Sequence, residues 1–241
     1  MSKAPDIKPA ADTALQDIKA NYGFIKEQVA EAMDKSGRKD EVRIMAVTKT
    51  VAVDRINYAE SLGINLLGEN RVQEFLGKYE NYSENSEIHF IGGLQNNKVK
   101  YIIDKVSMIH SVDSVKLAEE ISRRALSKNL IMDILLEVNI GKELSKGGFT
   151  DTELISAIGE IAQLQGVRIR GLMTIPPPLE GEYYFPRMQE LYENLRNGEK
   201  ALSGMDTLSM GMSGDYALAV KYGSNIVRIG SGLFGYRNYT I

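Results

Sequence analysis

The 241-residue sequence contains no cysteine, and several other features that identify a class of protein are missing as well. Without cysteine the chain can form neither a disulfide nor a thiolate metal site, so a zinc site would depend on its two histidines and on carboxylates. No segment approaches the roughly twenty apolar residues of a membrane-spanning helix, and residues 1–10 lack the apolar core of a secretory signal. We therefore expect a cytoplasmic protein without a membrane segment.

An excess of positive charge and the common nucleotide-binding motifs are absent too. Lysine and arginine number 29 against 32 aspartates and glutamates, and the net charge of −3 argues against a nucleic-acid-binding protein. No G-x-G-x-x-G follows the first predicted strand, and neither a Walker loop nor H-E-x-x-H occurs. The remaining composition, 43% hydrophobic and 25% charged, is ordinary for a globular protein, and the length fits one large α/β domain.

Strand and helix patterns alternate without interruption from residue 43 onward. Eight short apolar segments are predicted to be strands: Arg43–Lys49, Ile64–Gly68, His89–Gly92, Met108–Ser111, Asp133–Asn139, Arg168–Thr174, Thr207–Met212 and Ile226–Ile229. Each is followed by a helix or helical turn, and eight such units in about 240 residues are typical of a closed (β/α)8 TIM barrel. An open doubly wound sheet is the weaker alternative, because eight is the number of strands that closes a barrel.

An additional helix is predicted before the first strand. Apolar residues recur there at helical spacing: Leu15, Ile18, Tyr22, Ile25 and Val29. Asp12 and Thr13 provide an N-cap, and Gly37 provides a stop signal. We expect residues 1–10 to be a disordered tail and residues 11–241 to form a single barrel domain.

Lys49 closes the first predicted strand, and the functional prediction depends on it. Side chains alternate along a strand, so Lys49 points to the same side as Met45 and Val47, at the strand's C-terminal end. A lysine in this position is most simply a solvated strand end. In a TIM barrel, however, the chemistry lies at the C-terminal ends of the strands. A lysine kept uncharged there can form a Schiff base with an aldehyde.

Two turns rich in glycine and serine follow the last two predicted strands. Ser213 lies in the first turn, and Gly230 and Ser231 lie in the second. Barrels frequently bind a phosphate here, through backbone N–H groups and the start of a short helix. Glycine permits close approach of the backbone, and the serine hydroxyls add donors. The alternative is that these residues only form turns and helix caps.

Arg228 and Asn70 complete the set of candidate ligand-binding residues. Alternation places Arg228 on the interior side of the last strand. Because arginine only donates hydrogen bonds, it would keep a heterocyclic nitrogen in its unprotonated form; a pairing with Glu137 is the alternative. Asn70 could donate to a phenolic oxygen. With Lys49 and the phosphate turns, these side chains match the aldehyde, phosphate, ring nitrogen and 3-hydroxyl of pyridoxal 5′-phosphate (PLP).

Seven motifs lie in order along almost all of the chain after residue 40. They are AVTK (Ala46–Lys49), GENRVQE (Gly68–Glu74), HFIGGLQNNK (His89–Lys98), ELSKGG (Glu143–Gly148), RGLMTIP (Arg170–Pro176), LSMGMS (Leu208–Ser213) and VRIG (Val227–Gly230). With these motifs the sequence resembles the pyridoxal phosphate homeostasis proteins, small cytosolic relatives of the alanine racemase N-terminal domain. It departs from the usual pattern at Arg71, often aromatic in the family, at Gly147, often serine, and at Ser231, often threonine.

The resemblance implies a barrel of the fold-type III class with PLP bound to Lys49 as a Schiff base. It also implies that Asn70 lies by the ring hydroxyl and Arg228 by the pyridine nitrogen. The phosphate would be held by three residues: Ser213, Gly230 and Ser231. The implied function is PLP homeostasis by a cytoplasmic monomer without robust catalysis, with apo PLP-dependent enzymes as candidate recipients. Lys146 is considered as a second, transient aldehyde acceptor.

Two other functions stay open. The first is a weak PLP-dependent amino-acid racemase, and the second is a class I aldolase-like barrel that forms its Schiff base directly with a sugar phosphate. An unprotonated pyridine is a poor electron sink, which favours the carrier over the racemase. A racemase also draws its second proton-transfer tyrosine from a further β-domain, for which we expect no counterpart in this chain.

Overall fold

The computed structural model describes residues 10–198, 202 and 204–235, with side chains from residue 15 onward. Within these ranges the helices are α1 (Ala10–Ser36), α2 (Val53–Ser61), α3 (Val72–Lys78), α4 (Val115–Leu126), α5 (Asp151–Ile161), α6 (Gly181–Gly198), α7 (Tyr216–Lys221) and α8 (Ser231–Phe234). The strands are β1 (Arg43–Val47), β2 (Leu66–Glu69), β3 (Glu87–Phe90), β4 (Met108–Val112), β5 (Met132–Val138), β6 (Val167–Thr174), β7 (Thr207–Ser209) and β8 (Ile226–Ile229). Apart from Ala10, where α1 begins, the predicted tail lies outside the described residues.

The eight strands form one closed parallel barrel in sequence order, with β8 pairing back onto β1. The prediction of a TIM barrel with an additional N-terminal helix is confirmed, and the open sheet is wrong. Because all strands run the same way, their C-terminal ends form one rim of the barrel, here called the C-terminal mouth. Their N-terminal ends form the N-terminal mouth. None of the helices in the described ranges is long and apolar enough to cross a membrane.

Alternation divides each strand between the barrel interior and the layer under the helices. Met45 and Val47 of β1 pack inside the barrel with Leu66, Ile91 and Ile226. The other side of β1 belongs to a separate apolar cluster shared with α1, α2, α7 and α8. The interior direction predicted for Met45 and Val47 is therefore confirmed.

The additional helix α1 packs on the outside of the barrel against α7 and α8. It buries Ile18, Ile25 and Val29, and burial of each such side chain contributes about 1.5–3 kcal/mol. Asn21 Nδ2 also donates to the carbonyl oxygen of Leu233 at 3.0 Å. These contacts fix α8, the short helix that starts next to Gly230 at the C-terminal mouth.

Four strands end earlier than predicted, namely β1, β3, β5 and β7, and after β1 and β7 the backbone turns sharply. β1 stops at Val47, before Lys49, since Thr50 has a left-handed φ of 61°. β7 stops at Ser209 and not at Met212, since Gly211 has a φ of 90°, which glycine adopts without strain. Both turns lie at the C-terminal mouth and convert predicted strand ends into loop.

The segment after β3 is helical, as predicted, but it forms a 3-10 helix at Asn96–Tyr101. Its hydrogen bonds span three residues, as in the bond from Lys98 N–H to the carbonyl oxygen of Gln95 at 2.8 Å. A second 3-10 turn, Tyr79–Asn81, follows α3 directly.

Candidate functional site

Lys49 follows β1 at the C-terminal mouth, where it is half-buried. The peptide groups on both sides of it are held by α3. Lys78 Nζ donates to the carbonyl oxygen of Thr48 at 2.9 Å, and Thr50 N–H donates to the Glu74 carboxylate. Lys78 and Glu74 are themselves paired at 2.5 Å. The backbone of Lys49 is therefore fixed from the layer of helices outside the barrel.

Glu69, at the end of β2, adds a buried support to the same segment. Thr48 Oγ1 donates to Glu69 Oε1 at 2.6 Å, and the Tyr82 hydroxyl donates to the same oxygen. Burial raises the pKa of the Glu69 carboxyl, although both hydrogen bonds oppose that rise. Because Glu69 faces away from the interior, it contacts the peptide beside Lys49 and not the space inside the mouth.

Strand pairing brings the predicted residues on β1, β2 and β8 together. Val47 pairs with Gly68 on one side, and Ala46 pairs with Ile229 on the other. Each of these neighbouring strands continues into a predicted site residue, Asn70 after β2 and Gly230 after β8. Lys49 therefore emerges between them at the C-terminal mouth.

Asn70 has polar capacity that the protein does not use. Its Oδ1 atom is buried and has no hydrogen-bond partner among the described residues. Its backbone packs so closely on Gly92 that a Cβ atom at Gly92 would lie 2.2 Å from the Asn70 carbonyl oxygen. Only glycine fits there, so Gly92 fixes the position of Asn70, and the Asn70 side chain remains available to a ligand.

The turns after β7 and β8 meet, as the phosphate-site prediction requires. Gly232 N–H donates to Ser213 Oγ at 3.0 Å, and a Cβ atom at Gly232 would lie 3.2 Å from that oxygen. At Gly230 a Cβ atom would be 3.5 Å from Val47, an ordinary contact. Ser231 is exposed at the first position of α8. Ser213, Gly230 and Ser231 thus lie around one exposed helix start.

Arg228 is buried on the interior side of β8, with 4% of its surface exposed. Its Nη1 donates to Ser209 Oγ at 2.7 Å, and its Nη2 donates to the carbonyl oxygen of Thr174 at 2.8 Å. Burial lowers the pKa of the guanidinium to about 10, so it stays charged at neutral pH. A guanidinium carries five N–H donors, and within the described residues only these two bonds are formed, which leaves donors for a further acceptor.

The alternative pairing of Arg228 with Glu137 is wrong. Arg228 forms no salt bridge with any carboxylate of the described residues; its two acceptors are Ser209 and Thr174. Burial, and then the nearby charge of Asp113, raise the pKa of Glu137 to about 7, an effect that the charge of Arg228 opposes but does not cancel. Glu137 is thus a titratable carboxyl group that faces the interior and forms no salt bridge among the described residues.

Lys146 lies in the loop after β5. It pairs with Glu143, and its Nζ atom is 3.4 Å from the carbonyl oxygen of Ile175 after β6. The lysine is therefore part of the rim on the side of β5 and β6, while Lys49 follows β1. Among the described residues, no group of three or more histidine, aspartate and glutamate side chains is arranged to hold a metal ion.

Comparisons with known proteins identify the class to which this barrel belongs. The family model for the alanine racemase N-terminal domain matches residues 15–238. The pyridoxal phosphate homeostasis protein of Aquifex aeolicus is 42% identical over 221 residues, covering 89% of this chain and 96% of the relative. The protein of the same name from Escherichia coli K12 is 33% identical over 238 residues, covering 94% and 99%.

Among solved structures, PipY of Synechococcus elongatus with PLP bound is similar throughout its length. It superimposes with a TM-score of 0.76 at 33% identity and covers 86% of this chain and 100% of PipY. The chain belongs to the alanine racemase N-terminal domain family and, within it, to the pyridoxal phosphate homeostasis proteins.

Proposed function

We propose that this protein binds PLP and acts in intracellular PLP homeostasis, with Lys49 holding the cofactor as a Schiff base. Relatives at 33% and 42% identity are named pyridoxal phosphate homeostasis proteins, and a relative at 33% identity contains PLP. The proposal includes a monomer in the cytoplasm and apo PLP-dependent enzymes as recipients of the cofactor.

The residues at the C-terminal mouth fit the groups of PLP. Lys49 would hold the aldehyde carbon. Asn70 would donate through its Nδ2 group to the oxygen of the ring hydroxyl, and its buried Oδ1 atom, which has no partner among the described residues, would remain as an acceptor. The exposed turn of Ser213, Gly230 and Ser231 would bind the phosphate through hydroxyl and backbone N–H donors. When bound, PLP supplies an electrophilic aldehyde and an aromatic ring that can stabilise negative charge.

The unused donors of Arg228 are the observation that carries the proposal. A charged guanidinium in the interior is costly unless it is hydrogen-bonded, and this one has two protein acceptors within the described residues. A pyridine nitrogen is an acceptor that would use the remaining capacity. Because the pKa of arginine is high, its proton would stay on the guanidinium. The ring nitrogen would then remain unprotonated and withdraw electrons weakly. This supports storage of the cofactor over catalysis.

A weak amino-acid racemase is the second candidate. The family match to an alanine racemase domain favours it, and so does Glu137. A carboxyl group with a pKa of about 7 on the interior side of β5 can accept or release a proton near neutral pH.

The test is the visible absorption spectrum of the protein mixed with PLP, before and after borohydride. We expect a yellow band that borohydride bleaches in the wild type and in Lys142→Ala, which removes an exposed loop lysine. The band should be absent from Lys49→Ala. Wild-type protein that gives no band with PLP would overturn both the carrier and the racemase and would favour the aldolase-like barrel. Turnover of alanine by the yellow protein above the rate given by free PLP would favour the second candidate, the weak racemase.

A further inference from the structure

A line of polar side chains crosses the interior of the barrel. It starts at Glu87 of the N-terminal mouth, where Oε1 lies 2.9 Å from His89 Nε2. His89 Nδ1 lies 2.9 Å from His110 Nε2, and His110 Nδ1 lies 3.2 Å from Ser209 Oγ. Ser209 Oγ then accepts from Arg228 Nη1 at 2.7 Å. Strands β3, β4, β7 and β8 thus contribute to one chain of hydrogen bonds, here called the interior chain.

The interior chain is buried along its central part. His89, His110 and Ser209 each have 0% of their surface exposed. Their neighbours inside the barrel are two apolar clusters, one around Met45 and the other around Leu135. Polar atoms in such surroundings are costly unless paired, and here each ring nitrogen and the serine oxygen have a partner.

The ionised carboxylate of Glu87 determines which nitrogen of each histidine carries the proton. Hydrogen bonds from His89 and Arg43 lower the pKa of Glu87 to about 2, so its carboxylate accepts only. His89 must then carry a proton on Nε2. A neutral His89 accepts through Nδ1, which requires a proton on Nε2 of His110. A neutral His110 in turn accepts through Nδ1, which leaves the Ser209 hydroxyl as the donor.

The opposite end of the interior chain requires the same order. Arg228 can only donate, so the Ser209 oxygen accepts from it and the Ser209 hydrogen is free to go to His110. Burial lowers the pKa of both imidazoles, His110 the more strongly. The charged groups that act on them are Glu87 together with Arg43, Asp133 and Arg228. Neutral histidines at both positions therefore satisfy every link.

We propose that His89 and His110 are positioning residues for Arg228, acting through the Ser209 hydroxyl. Because the hydrogen of Ser209 is committed to His110, its lone pair faces Arg228 and holds the guanidinium in one orientation. The unused N–H groups are then directed away from Ser209, toward a ligand. This inference rests on the proposed function, in which Arg228 meets the pyridine nitrogen, and it adds residues that extend to the opposite mouth.

The first test uses nitrogen-15 NMR of the cofactor-free protein. The chain has two histidines, so the imidazole spectrum contains two spin systems. At pH 7.5 we expect both to be neutral with the proton on Nε2. In Ser209→Ala the Nδ1 signal of His110 should move downfield, since that nitrogen loses its donor. A proton on Nδ1 of either ring, or a doubly protonated ring, would overturn the inference whether or not PLP binds.

The second test measures PLP affinity and the position of the absorption band. Ser209→Ala should bind PLP about tenfold more weakly, the loss of one hydrogen bond to a charged group, and its band should shift. Ser209→Thr keeps the hydroxyl, and its affinity for PLP should be within about twofold of the wild-type value. Met173→Leu is the matched control inside the barrel, because it is buried and lies outside the interior chain; it should bind PLP like the wild type.

A double variant separates positioning from simple packing. If His110 acts only through Ser209, then adding His110→Gln to Ser209→Ala should weaken PLP binding no further, because the link is already broken. If the losses of PLP affinity from Ser209→Ala and His110→Gln add in the double variant, the inference is contradicted. An unchanged affinity and absorption band in Ser209→Ala would contradict it as well. A wild type that gives no band with PLP would instead refute the proposed function, and the NMR result would still decide the order of the protons.

Discussion

The two mouths of the barrel are both rich in polar side chains, but they differ in whether those side chains have partners. At the N-terminal mouth, Arg43 binds Glu87 through two hydrogen bonds of 3.0 and 2.6 Å. Arg170 binds Asp133 at 2.7 Å and also pairs with Asp206. Each guanidinium thus faces carboxylates, and the charges balance locally.

At the C-terminal mouth the same kinds of groups are left incomplete. Asn70 has a buried oxygen without a partner in the described part of the chain, and Arg228 has two acceptors for five donors. The pKa of Glu137 is raised to about 7 by burial and by the nearby charge of Asp113, and the charge of Arg228 only partly opposes the rise. Full pairing is typical of a structural role, and incomplete pairing at a mouth indicates a ligand.

The largest expected difference between the mouths concerns Lys49. In Lys49→Ala, PLP trapped by borohydride should fall to zero, because within the described residues Lys49 is the lysine that follows β1, between Asn70 and Gly230. The free energy of unfolding in urea should stay within about 0.5 kcal/mol of the wild type, since a half-buried lysine contributes little to stability. An equal amount of trapped PLP in the variant would place the Schiff base elsewhere, with Lys146 the first site to map by tryptic digestion.

For Arg170 at the N-terminal mouth we expect a loss of stability without a loss of PLP binding. Arg170→Ala leaves Asp133, 13% exposed, with one partner fewer, and should lower the free energy of unfolding by about 2 kcal/mol. Arg168→Ala is the control: its side chain is 61% exposed, and its loss should cost about 0.5 kcal/mol. Affinity for PLP, measured by absorbance titration at a temperature where both variants are folded, should not change. A matching loss of affinity in Arg170→Ala would remove the distinction between the mouths.

Gly230 tests the phosphate turn separately from folding. A Cβ atom there meets Val47 at an ordinary 3.5 Å, so Gly230→Ala should fold with unchanged stability. The added methyl group would occupy the surface that the phosphate approaches, and PLP should bind about tenfold more weakly. Pyridoxal, which lacks the phosphate, should bind both proteins equally. A variant that binds PLP normally would show that the phosphate lies elsewhere.

The last comparison concerns the pH dependence of stability that Glu137 contributes. Its folded-state pKa of about 7 lies above its ordinary value of 4.5, so burial favours the neutral carboxyl. The associated stability is fully present below pH 4.5 and is lost as the pH rises through about 7. Glu137→Gln should remove this slope from urea unfolding of the cofactor-free protein and be more stable than the wild type at pH 8. A slope that persists in the variant would assign it to another group.

The sequence was sufficient to predict the barrel, because eight strand patterns with period two alternate with helical patterns and no segment breaks the order. It was also sufficient to place Met45 and Val47 on one side of β1. Strand ends were less predictable. The left-handed turn at Thr50 and the turn at Gly211 depend on contacts with other elements, such as Glu74 of α3, that no local pattern contains.

The interior chain could be predicted only in part. The sequence places His89 in β3 and His110 in β4, but it does not show that the two rings contact each other from these neighbouring strands. Ser209 was part of a motif without an assigned role. The pairing of Arg228 with Glu137 was a reasonable expectation from opposite charge. It fails because Ser209 and Thr174 supply acceptors that are geometrically better placed.

Hydrogen–deuterium exchange with and without PLP is the most direct test of the difference between the two mouths. On addition of PLP we predict slower amide exchange in the segments that follow β1, β2, β7 and β8, where Lys49, Asn70, Ser213 and Gly230 lie. The amides at the N-terminal ends of the strands, around Arg43 and Asp133, should exchange at an unchanged rate. Protection confined to the N-terminal mouth, or no protection at the C-terminal mouth in protein that has turned yellow, would contradict the account.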